Sequence, residues 1–355
     1  MHTFIFIYVP GKACLFITKK GIVIDLVVVY LICRKIIGAR SFSFESGELS
    51  ARDKDGHGTH VASILAGNQV RDVSYYGLAH VIARGGVPSA RLAVYKVCEQ
   101  GCYDIDVLSA FDHAIADGVD FISVSMGNQK GPLELTSDPF AIGSFHAIKR
   151  GILTVNAAGN HGPEFSSIQH YAPWTLTVAA SDIDRKVVDK LLLKNDAILV
   201  GYGINAFPSS DEAVPLVYGK EVTNSCSEID ARNCYPTCLE RSLVNHKVIL
   251  CDDKPNWKEV NISGAVGVIY PFNPPESANT SLVMPYPIVT LSGNDLNLVK
   301  IFKKSTIDPR VQIFKSETVD NPDAPLVASF SSRGPSIFTY DIIKVSFLLS
   351  NYIST

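Results

Sequence analysis

Between residues 55 and 181, the pattern of apolar and polar residues alternates repeatedly between a helical period and a strand-like pattern. In "DIDVLSAFDHAIADG", Leu108, Phe111 and Ile115 fall on one face of a predicted helix that Gly118 ends. "VDFISVSMG" then predicts a buried strand, "PFAIGSFHAIKRG" a second helix, and "ILTVNAAGN" and "WTLTVAAS" two further strands. This order predicts an α/β fold, a parallel sheet with helices on both faces. Ligands and chemistry are then expected at the carboxyl ends of the strands.

The pattern changes after about residue 200. "AVPLVYG", "HKVILCDD", "GAVGVIYPF" and "PIVTLSG" are short apolar runs between turn residues, which predicts a separate β-rich module with few long helices. We therefore expect four segments: an atypical N-terminal segment (1–34), the first part of the α/β domain (35–200), the β-rich insert (201–318) and the resumed α/β domain (319–355).

The N-terminal segment has two apolar runs. The first, within residues 1–20, is broken by Pro10 and lacks the basic region and cleavage site of a signal peptide. The second, "GIVIDLVVVYLIC" (21–33), is too short to span a bilayer comfortably and contains Asp25. It predicts a buried parallel strand instead.

Composition narrows the classes of partner. The chain of 355 residues has a formal net charge of −3 and is 46% hydrophobic, which gives no electrostatic reason to expect nucleic acid or an anionic membrane as a partner. Four of its eight cysteines lie between residues 226 and 251. This cluster favours disulfides and an oxidising compartment, with a zinc site as the alternative.

The string "DKDGHGTH", which continues into "VASILAG", contains the main candidate for chemistry. A histidine at the start of a helix, after a glycine turn, is placed at a sheet edge where it can act as a general base. Two other interpretations are a histidine that caps the helix, and a pair of metal ligands formed by His57 and His60, for which no third ligand stands out.

"DGHGTHVAS" resembles the histidine motif of the subtilisin-like serine proteases. "GVPSARLAVYKVC", "GVDFISVSMG", "AAGNHGP" and "VASFSSRGP" follow in the order found in the plant-type (cucumisin-like) subtilases, and the resemblance covers roughly residues 35–335. It implies proteolysis of polypeptide substrates by an Asp/His/Ser triad, with no metal or other cofactor.

The resemblance also implies roles for individual residues. His57 is the base and His60 is structural, while the Asn160 side chain donates to the oxyanion, although an Asn after Gly is also a common turn residue. Asp25 is the candidate triad acid, although Leu26 and Val27 replace the Thr-Gly of the family, and the alternative is an ordinary strand residue. The implied substrate-binding segment is an edge strand with which a substrate peptide pairs main chain to main chain, and it consists of Ser123, Val124, Ser125, Met126 and Gly127. The alternative is an ordinary buried strand.

The nucleophile is the missing part of the motif set. The family carries it in a "G-T-S-M" turn downstream of "FSSRGP", and the 355 residues contain no such string. Ser331 and Ser332 belong to a structural loop in the family and are not assigned. We therefore expect a truncated chain that is inactive as written. The alternative is a pseudoprotease or fragment that acts as a protein-binding module.

The β-rich insert resembles the protease-associated (PA) domain of plant subtilases through "SLVNHKVILCDD" and "GAVGVIYPF". Cys238 and Cys251 bracket the first of these strings, so we expect a disulfide between them, another between Cys98 and Cys102 in "CEQGC", and less strongly one between Cys226 and Cys234. The resemblance implies a secreted, apoplastic protein, in which the sequons at Asn261 and Asn279 are glycosylation candidates. Oligomeric state is not predicted.

Overall fold

The computed structural model describes residues 4–10, 35–45, 50–99, 101–128, 131–223, 226–272, 283–284, 286–344 and 347–349. The strand predicted over 21–33, with Asp25, lies outside these residues. Among the described residues, none of the helices has the length and apolar character needed to cross a membrane.

The first sheet has seven strands. In spatial order they are β2 (Ile36–Ser41), β5 (Ala90–Lys96), β1 (Phe4–Pro10), β6 (Phe121–Val124), β7 (Leu153–Ala157), β8 (Leu176–Ala180) and β19 (Phe347–Leu349). β2 and β5 are parallel, and so are β6, β7, β8 and β19. The predicted parallel sheet is confirmed for these strands.

The central strand departs from the prediction. β1 runs antiparallel to both neighbours, with Phe4 opposite Lys96 and Pro10 opposite Ala90 on β5. Its sequence "FIFIYVP" is a continuous apolar run, which suits a buried position in either direction. The pattern of apolar residues therefore does not specify the direction of this strand.

Helices cover both faces of the first sheet, as predicted. On β5, Leu92 and Val94 pack with α1 (His57–Ala66) on one face, whereas Ala93 and Tyr95 belong to the core on the other face. That second core includes α2 (Asp104–Asp117) and α3 (Pro139–Ile148). The alternation follows from the two-residue period of a strand. A hairpin of β3 (Val70–Tyr75) and β4 (Leu78–Ala83) follows α1.

The second sheet is mixed. In spatial order it consists of β10 (Ile198–Gly201), β9 (Arg185–Leu193), β17 (Arg310–Ile313), β12 (Val214–Tyr218), β13 (Val248–Leu250), β14 (Gly267–Pro271) and β16 (Ile288–Leu291), with β18 (Glu317–Asp320) paired to β9. β11 (Ile204–Asn205) pairs separately with β15 (Val283–Met284). Because β9 belongs to this sheet, the sheet begins before the boundary predicted at residue 201.

Within the described residues, four α-helices accompany the second sheet. They are α4 (Glu228–Arg232), α5 (Arg241–Val244), α6 (Trp257–Ile262) and α7 (Gly293–Ser305). α7 has 13 residues and buries Leu296, Val299 and Phe302 against the sheet. A helix of this length was not expected from the sequence.

The described residues contain three disulfides, and one of the three predicted pairings is confirmed. Cys98 pairs with Cys102, but Cys226 pairs with Cys238 and Cys234 with Cys251. The predicted bridges Cys238–Cys251 and Cys226–Cys234 are therefore wrong. The backbone N–H of Asp252 donates to the carbonyl of Arg232 at 2.8 Å, which places the end of α4 beside the end of β13 and brings Cys234 to Cys251. All four clustered sulfurs are bonded to one another, so the zinc alternative is excluded for them.

We expect the Cys234→Ala/Cys251→Ala variant to lose about 3 kcal/mol of unfolding free energy, because this bridge closes a long loop in the unfolded chain. The Cys98→Ala/Cys102→Ala variant is the matched control and should lose about 2 kcal/mol, since its cysteines are only four residues apart. Urea unfolding under non-reducing conditions measures both values. Equal stability of wild type and the first variant would contradict the pairing.

A buried carboxyl on β9 is linked to the residue that precedes β18. Asp189 on β9 is fully buried, and it accepts a hydrogen bond from Ser316, just before β18. The same Ser316 hydroxyl accepts from the backbone N–H of Asn205 at 2.7 Å. Burial raises the pKa of Asp189 to about 6, although hydrogen bonds from Ser316, Asn205 and Gly203 oppose the rise.

This raised pKa predicts how stability depends on pH. An unfolded aspartate has the ordinary pKa of 3.8, so between pH 3.8 and about 6 the folded protein binds more protons than the unfolded one. The contribution of Asp189 is thus most favourable below pH 4 and is lost as the pH rises through 6, a change on the order of 3 kcal/mol. In Asp189→Asn this part of the pH dependence should disappear. Urea unfolding at pH 4 and pH 8 tests it, and an unchanged difference between the two pH values would contradict it.

Candidate active site

Helix α1 begins with the candidate base, His57. Gly56 precedes the helix with a φ of 96°, a left-handed conformation that glycine adopts without strain. The Asp53 carboxylate accepts hydrogen bonds from the backbone N–H groups of Gly56 at 2.8 Å and Thr59 at 2.7 Å, and from the Thr59 hydroxyl at 2.6 Å. These bonds fix the turn that carries His57.

Asp53 is charged over a wide pH range. Partial burial raises its pKa, but the hydrogen bonds from the Thr59 side chain and from the backbone of Gly56, Thr59 and Asp55 outweigh this effect, and the pKa of Asp53 lies below its ordinary value. Negative charge beside the first turn of a helix is also favourable. The turn at His57 is therefore held by an ionised carboxylate even in mildly acidic solution.

The His57 ring has one buried nitrogen with no partner. The side chain is partly buried, and within the described part of the chain its Nδ1 atom accepts and donates no hydrogen bond. In an Asp/His/Ser triad this is the nitrogen that donates to the acid. The candidate acid, Asp25, lies outside the described residues. His60, three positions on, is exposed, and no third His, Cys, Asp or Glu of the described residues joins the two histidines in a metal-binding group.

The predicted substrate-binding segment divides into two parts. Ser123 and Val124 belong to β6 and pair with β1 on one side and β7 on the other, so they lie inside the sheet and not at an edge. The expectation of a free edge is therefore wrong for these two residues. Ser125, Met126 and Gly127 continue beyond the strand at its carboxyl end and are partly buried.

Asn160 lies on the loop that follows β7, with its side chain exposed. Gly159 before it has a φ of 108°, and a Cβ there would approach the Ser332 hydroxyl to 2.7 Å. Ser332 donates its backbone N–H to the Gly159 carbonyl at 3.0 Å, and its hydroxyl accepts from the His161 backbone N–H at 3.1 Å. The string "VASFSSRGP" therefore fixes the loop of Asn160 through hydrogen bonds to the backbone of the residues on either side of Asn160.

The two serines of that string are buried. Ser331 is 0% and Ser332 is 1% exposed. The Ser331 hydroxyl accepts from the backbone N–H of Ala180 at 3.1 Å, and Ser332 makes the contacts just described. Both hydroxyls are bound to the backbone in the interior, where a polypeptide substrate does not reach them.

The three candidate groups follow the carboxyl ends of parallel strands. The loop after β2 leads to His57, residues 125–127 follow β6, and Asn160 follows β7. Because these strands are parallel to one another, their carboxyl ends lie along one edge of the sheet, where neighbouring strands are about 4.8 Å apart. The side chains of Gln169 and His170 contact the backbone carbonyls of Asn128 and Met126. They were not predicted as site residues, because their local sequence contains no motif that indicates this role.

One of the two glycosylation candidates lies among the described residues. Asn261 is exposed in the last turn of α6, and the Ser263 of its sequon is buried and donates to the Val260 carbonyl at 2.6 Å. Asn279 lies outside the described residues. Attachment of a glycan at either asparagine stays a prediction.

Comparison with known proteins gives a family match over most of the chain. Residues 39–348 match the model of the subtilase family, Peptidase_S8. Subtilisin-like protease SBT4.6 of Arabidopsis thaliana is 47% identical over 316 residues, which are 87% of this chain and 42% of that protein. SBT4.4 of the same plant is 46% identical over 313 residues, with the same shares of each chain.

The chain thus spans less than half the length of these curated relatives. Among solved structures, Sphericase is 27% identical with a TM-score of 0.33, over 45% of this chain and 49% of that one. The family assignment rests on the sequence matches alone. On the strength of a family match that extends from residue 39 to residue 348, the chain belongs to the subtilase family.

Proposed function

We propose that this chain is the part of a subtilisin-like serine endopeptidase that supplies the general base, an oxyanion donor and a peptide-binding segment. The observation that carries the proposal is the His57 ring at the start of α1, with Nδ1 buried and unpartnered among the described residues. This arrangement suits a ring whose Nδ1 donates to an acid and whose Nε2 faces a nucleophile. The family match supports the same role.

The proposed chemistry follows from these groups. Nε2 of His57 takes the proton of a serine hydroxyl while the serine oxygen bonds to the scissile carbonyl carbon. The Asn160 side-chain amide donates to the negative oxygen that forms. His57 then gives the proton to the departing amine, and water releases the acyl group by the same route. We propose Asp25 as the acid that orients His57.

We propose that a polypeptide of these 355 residues alone does not perform the covalent step, because the sequence contains no "G-T-S-M" string and Ser331 and Ser332 are buried. It should not react with a fluorophosphonate probe, as measured by intact-protein mass spectrometry, whereas SBT4.6 tested in parallel should react. Stoichiometric labelling of this polypeptide that His57→Ala abolishes would refute the proposal.

The positive part of the proposal is tested in a chimera. In this chimera, the residues of this chain that align with SBT4.6 replace the matching segment of that protein, and the nucleophilic serine is expected from the rest of that protein. We expect the chimera to cleave a fluorogenic polypeptide substrate at internal peptide bonds. A folded chimera that cleaves nothing would instead favour a pseudoprotease that only binds polypeptides.

We further propose that the second sheet, with α4–α7, is a protease-associated (PA) domain inserted between the two parts of the peptidase domain. Its two disulfides support an oxidising environment and thus a secreted, extracellular protein, since such bridges do not persist in a reducing cytosol. Polypeptides are the proposed partners of the active site. Glycan attachment at Asn261 and Asn279 belongs to the same proposal, and a mass shift on treatment with peptide N-glycosidase would support it.

A further inference from the structure

Two consecutive side chains hold the segment that follows β6. His170 Nε2 lies 2.6 Å from the carbonyl oxygen of Met126, and Gln169 Nε2 donates to the carbonyl oxygen of Asn128 at 3.0 Å. Both side chains are buried, at 4% and 7% exposure. A carbonyl oxygen only accepts hydrogen bonds, so the proton of the neutral His170 ring is on Nε2.

The two carbonyls are two residues apart and are held by neighbouring side chains. In an extended segment the backbone groups of alternate residues point to the same side. If the segment continues the extended course of β6, then with Met126 and Asn128 held by His170 and Gln169 the backbone N–H and C=O of Ser125 and Gly127 are directed to the opposite side. An added peptide strand pairs with backbone groups of this kind.

Gln169 also connects this segment to the loop of the oxyanion donor. Its Nε2 atom lies 3.0 Å from Nδ1 of His161, the residue after Asn160, and its backbone N–H donates to the Ala158 carbonyl at 3.0 Å. A Cβ at Gly127 would lie only 1.6 Å from the Gln169 side-chain oxygen. Gln169 therefore packs directly on the backbone of Gly127 and fixes its position relative to the Asn160 loop.

The His170 ring is itself held in place. It packs edge-on against Phe140, with ring centroids 5.2 Å apart, and the carbonyl of His170 accepts from the Thr177 hydroxyl at 2.7 Å. Asp138, which caps α3 by accepting a hydrogen bond from the backbone N–H of Phe140 at 2.9 Å, places its carboxyl group near the ring. The donor to Met126 thus has a fixed orientation before any substrate arrives.

We propose that Gln169 and His170 are positioning residues for a polypeptide substrate: by holding the carbonyls of Met126 and Asn128, they present Ser125 and Gly127 for backbone pairing with it. The inference rests on the proposed function of this segment. Neither side chain needs to touch the substrate, so each acts on peptide affinity through the segment that it holds.

The hydrogen bond to Met126 can be observed directly in the full 355-residue chain. The sequence has three methionines, so labelling with carbonyl-¹³C methionine gives at most three carbonyl signals, and Met126→Leu identifies the relevant one. We expect this signal to shift in His170→Phe, which keeps a ring and removes the donor, and to return towards the wild-type position in His170→Gln. In the control His146→Phe, an exposed position on α3, it should not move. An unmoved signal in His170→Phe would overturn the proposal.

Peptide affinity separates a positioning role from a structural one. With fluorescein-labelled β-casein as an unfolded polypeptide, fluorescence anisotropy should show binding about 3- to 10-fold weaker for His170→Phe and for Gln169→Leu, the loss expected for one hydrogen bond each. His170→Gln and His146→Phe should bind nearly as well as wild type. Thermal unfolding of each variant is measured alongside, to restrict the comparison to folded protein.

The possible outcomes are distinct. If wild type binds casein and the folded variants bind it equally well, the positioning role is overturned while the proposed function stands. If neither wild type nor His146→Phe binds casein, the proposed peptide-binding segment is contradicted, and the positioning role with it. Weaker binding that follows the shift of the Met126 signal supports both.

Discussion

Replacing His57 by alanine in the SBT4.6 chimera should lower kcat by about 10⁶-fold, the magnitude known for loss of the histidine base in a subtilisin. Without the ring, no group takes the serine proton, and the activity that remains comes from binding and the oxyanion donor. The measurement is steady-state hydrolysis of a fluorogenic peptide. KM should change little, because His57 acts on the reacting serine and not on substrate binding.

His60→Ala is the matched control for this prediction. His60 lies three positions along the same helix and its side chain is exposed, so its removal should lower kcat by less than about tenfold. Both variants alter α1, and a general effect on the helix would reduce their activities alike. Comparable losses in the two variants would contradict the assignment of His57 as the base.

Asn160→Ala in the same chimera should lower kcat by about 10²- to 10³-fold, again the magnitude known for the oxyanion asparagine of a subtilisin. The amide donates to an oxygen that is negatively charged only in the transition state, so KM should stay close to the wild-type value. The Asn160 side chain is exposed on a loop that Ser332 holds through the backbone, and the substitution should therefore leave the fold intact.

Asn160→Asp is the conservative control. The carboxylate has nearly the shape of the amide but offers no donor, and its charge opposes the negative oxygen. Its kcat should be at least as low as that of Asn160→Ala. If Asn160→Asp kept more than a tenth of the wild-type kcat, the asparagine would not be the oxyanion donor.

The helices α2 and α3 beside the first sheet could be predicted from sequence because their signals are local. The apolar face of residues 104–118 corresponds to α2, and Gly118 ends it with a left-handed φ of 71°. The helix predicted in "PFAIGSFHAIKRG" is α3. The missed helix α7 also has a local signal, since Ser292 accepts from the backbone N–H of Asp295 in a Ser-x-x-Asp cap. This capping sequence is sufficient to predict the start of α7.

Other features depend on contacts between distant parts of the chain. The position of a cysteine does not reveal its partner, because four cysteines allow three pairings, and here the approach of α4 to β13 decides between them. The direction of β1 is similarly undetermined by an apolar run. Gln169 and His170 contact residues 41 and 44 positions earlier in the chain, so their role becomes visible only in the structure.

In the candidate site, too, some residues have a local sequence signal and others are identified only by contacts between distant parts of the chain. His57 and Asn160 were recognised because each lies in a short glycine-containing string with a specific order, and the structure places both after strands of one sheet. Ser123 and Val124 were assigned to a free edge because a buried strand and an edge strand have similar sequences. Only the pairing of β6 with both β1 and β7 distinguishes the two cases.

The most direct test of His57 as the general base is to label the chimera with a fluorophosphonate probe and locate the adduct by peptide mass spectrometry. We expect one adduct per chain, on the serine that SBT4.6 supplies, and a labelling rate that falls steeply in His57→Ala. An adduct on a serine contributed by this chain, Ser331 or Ser332 above all, or a wild-type labelling rate in His57→Ala, would contradict it.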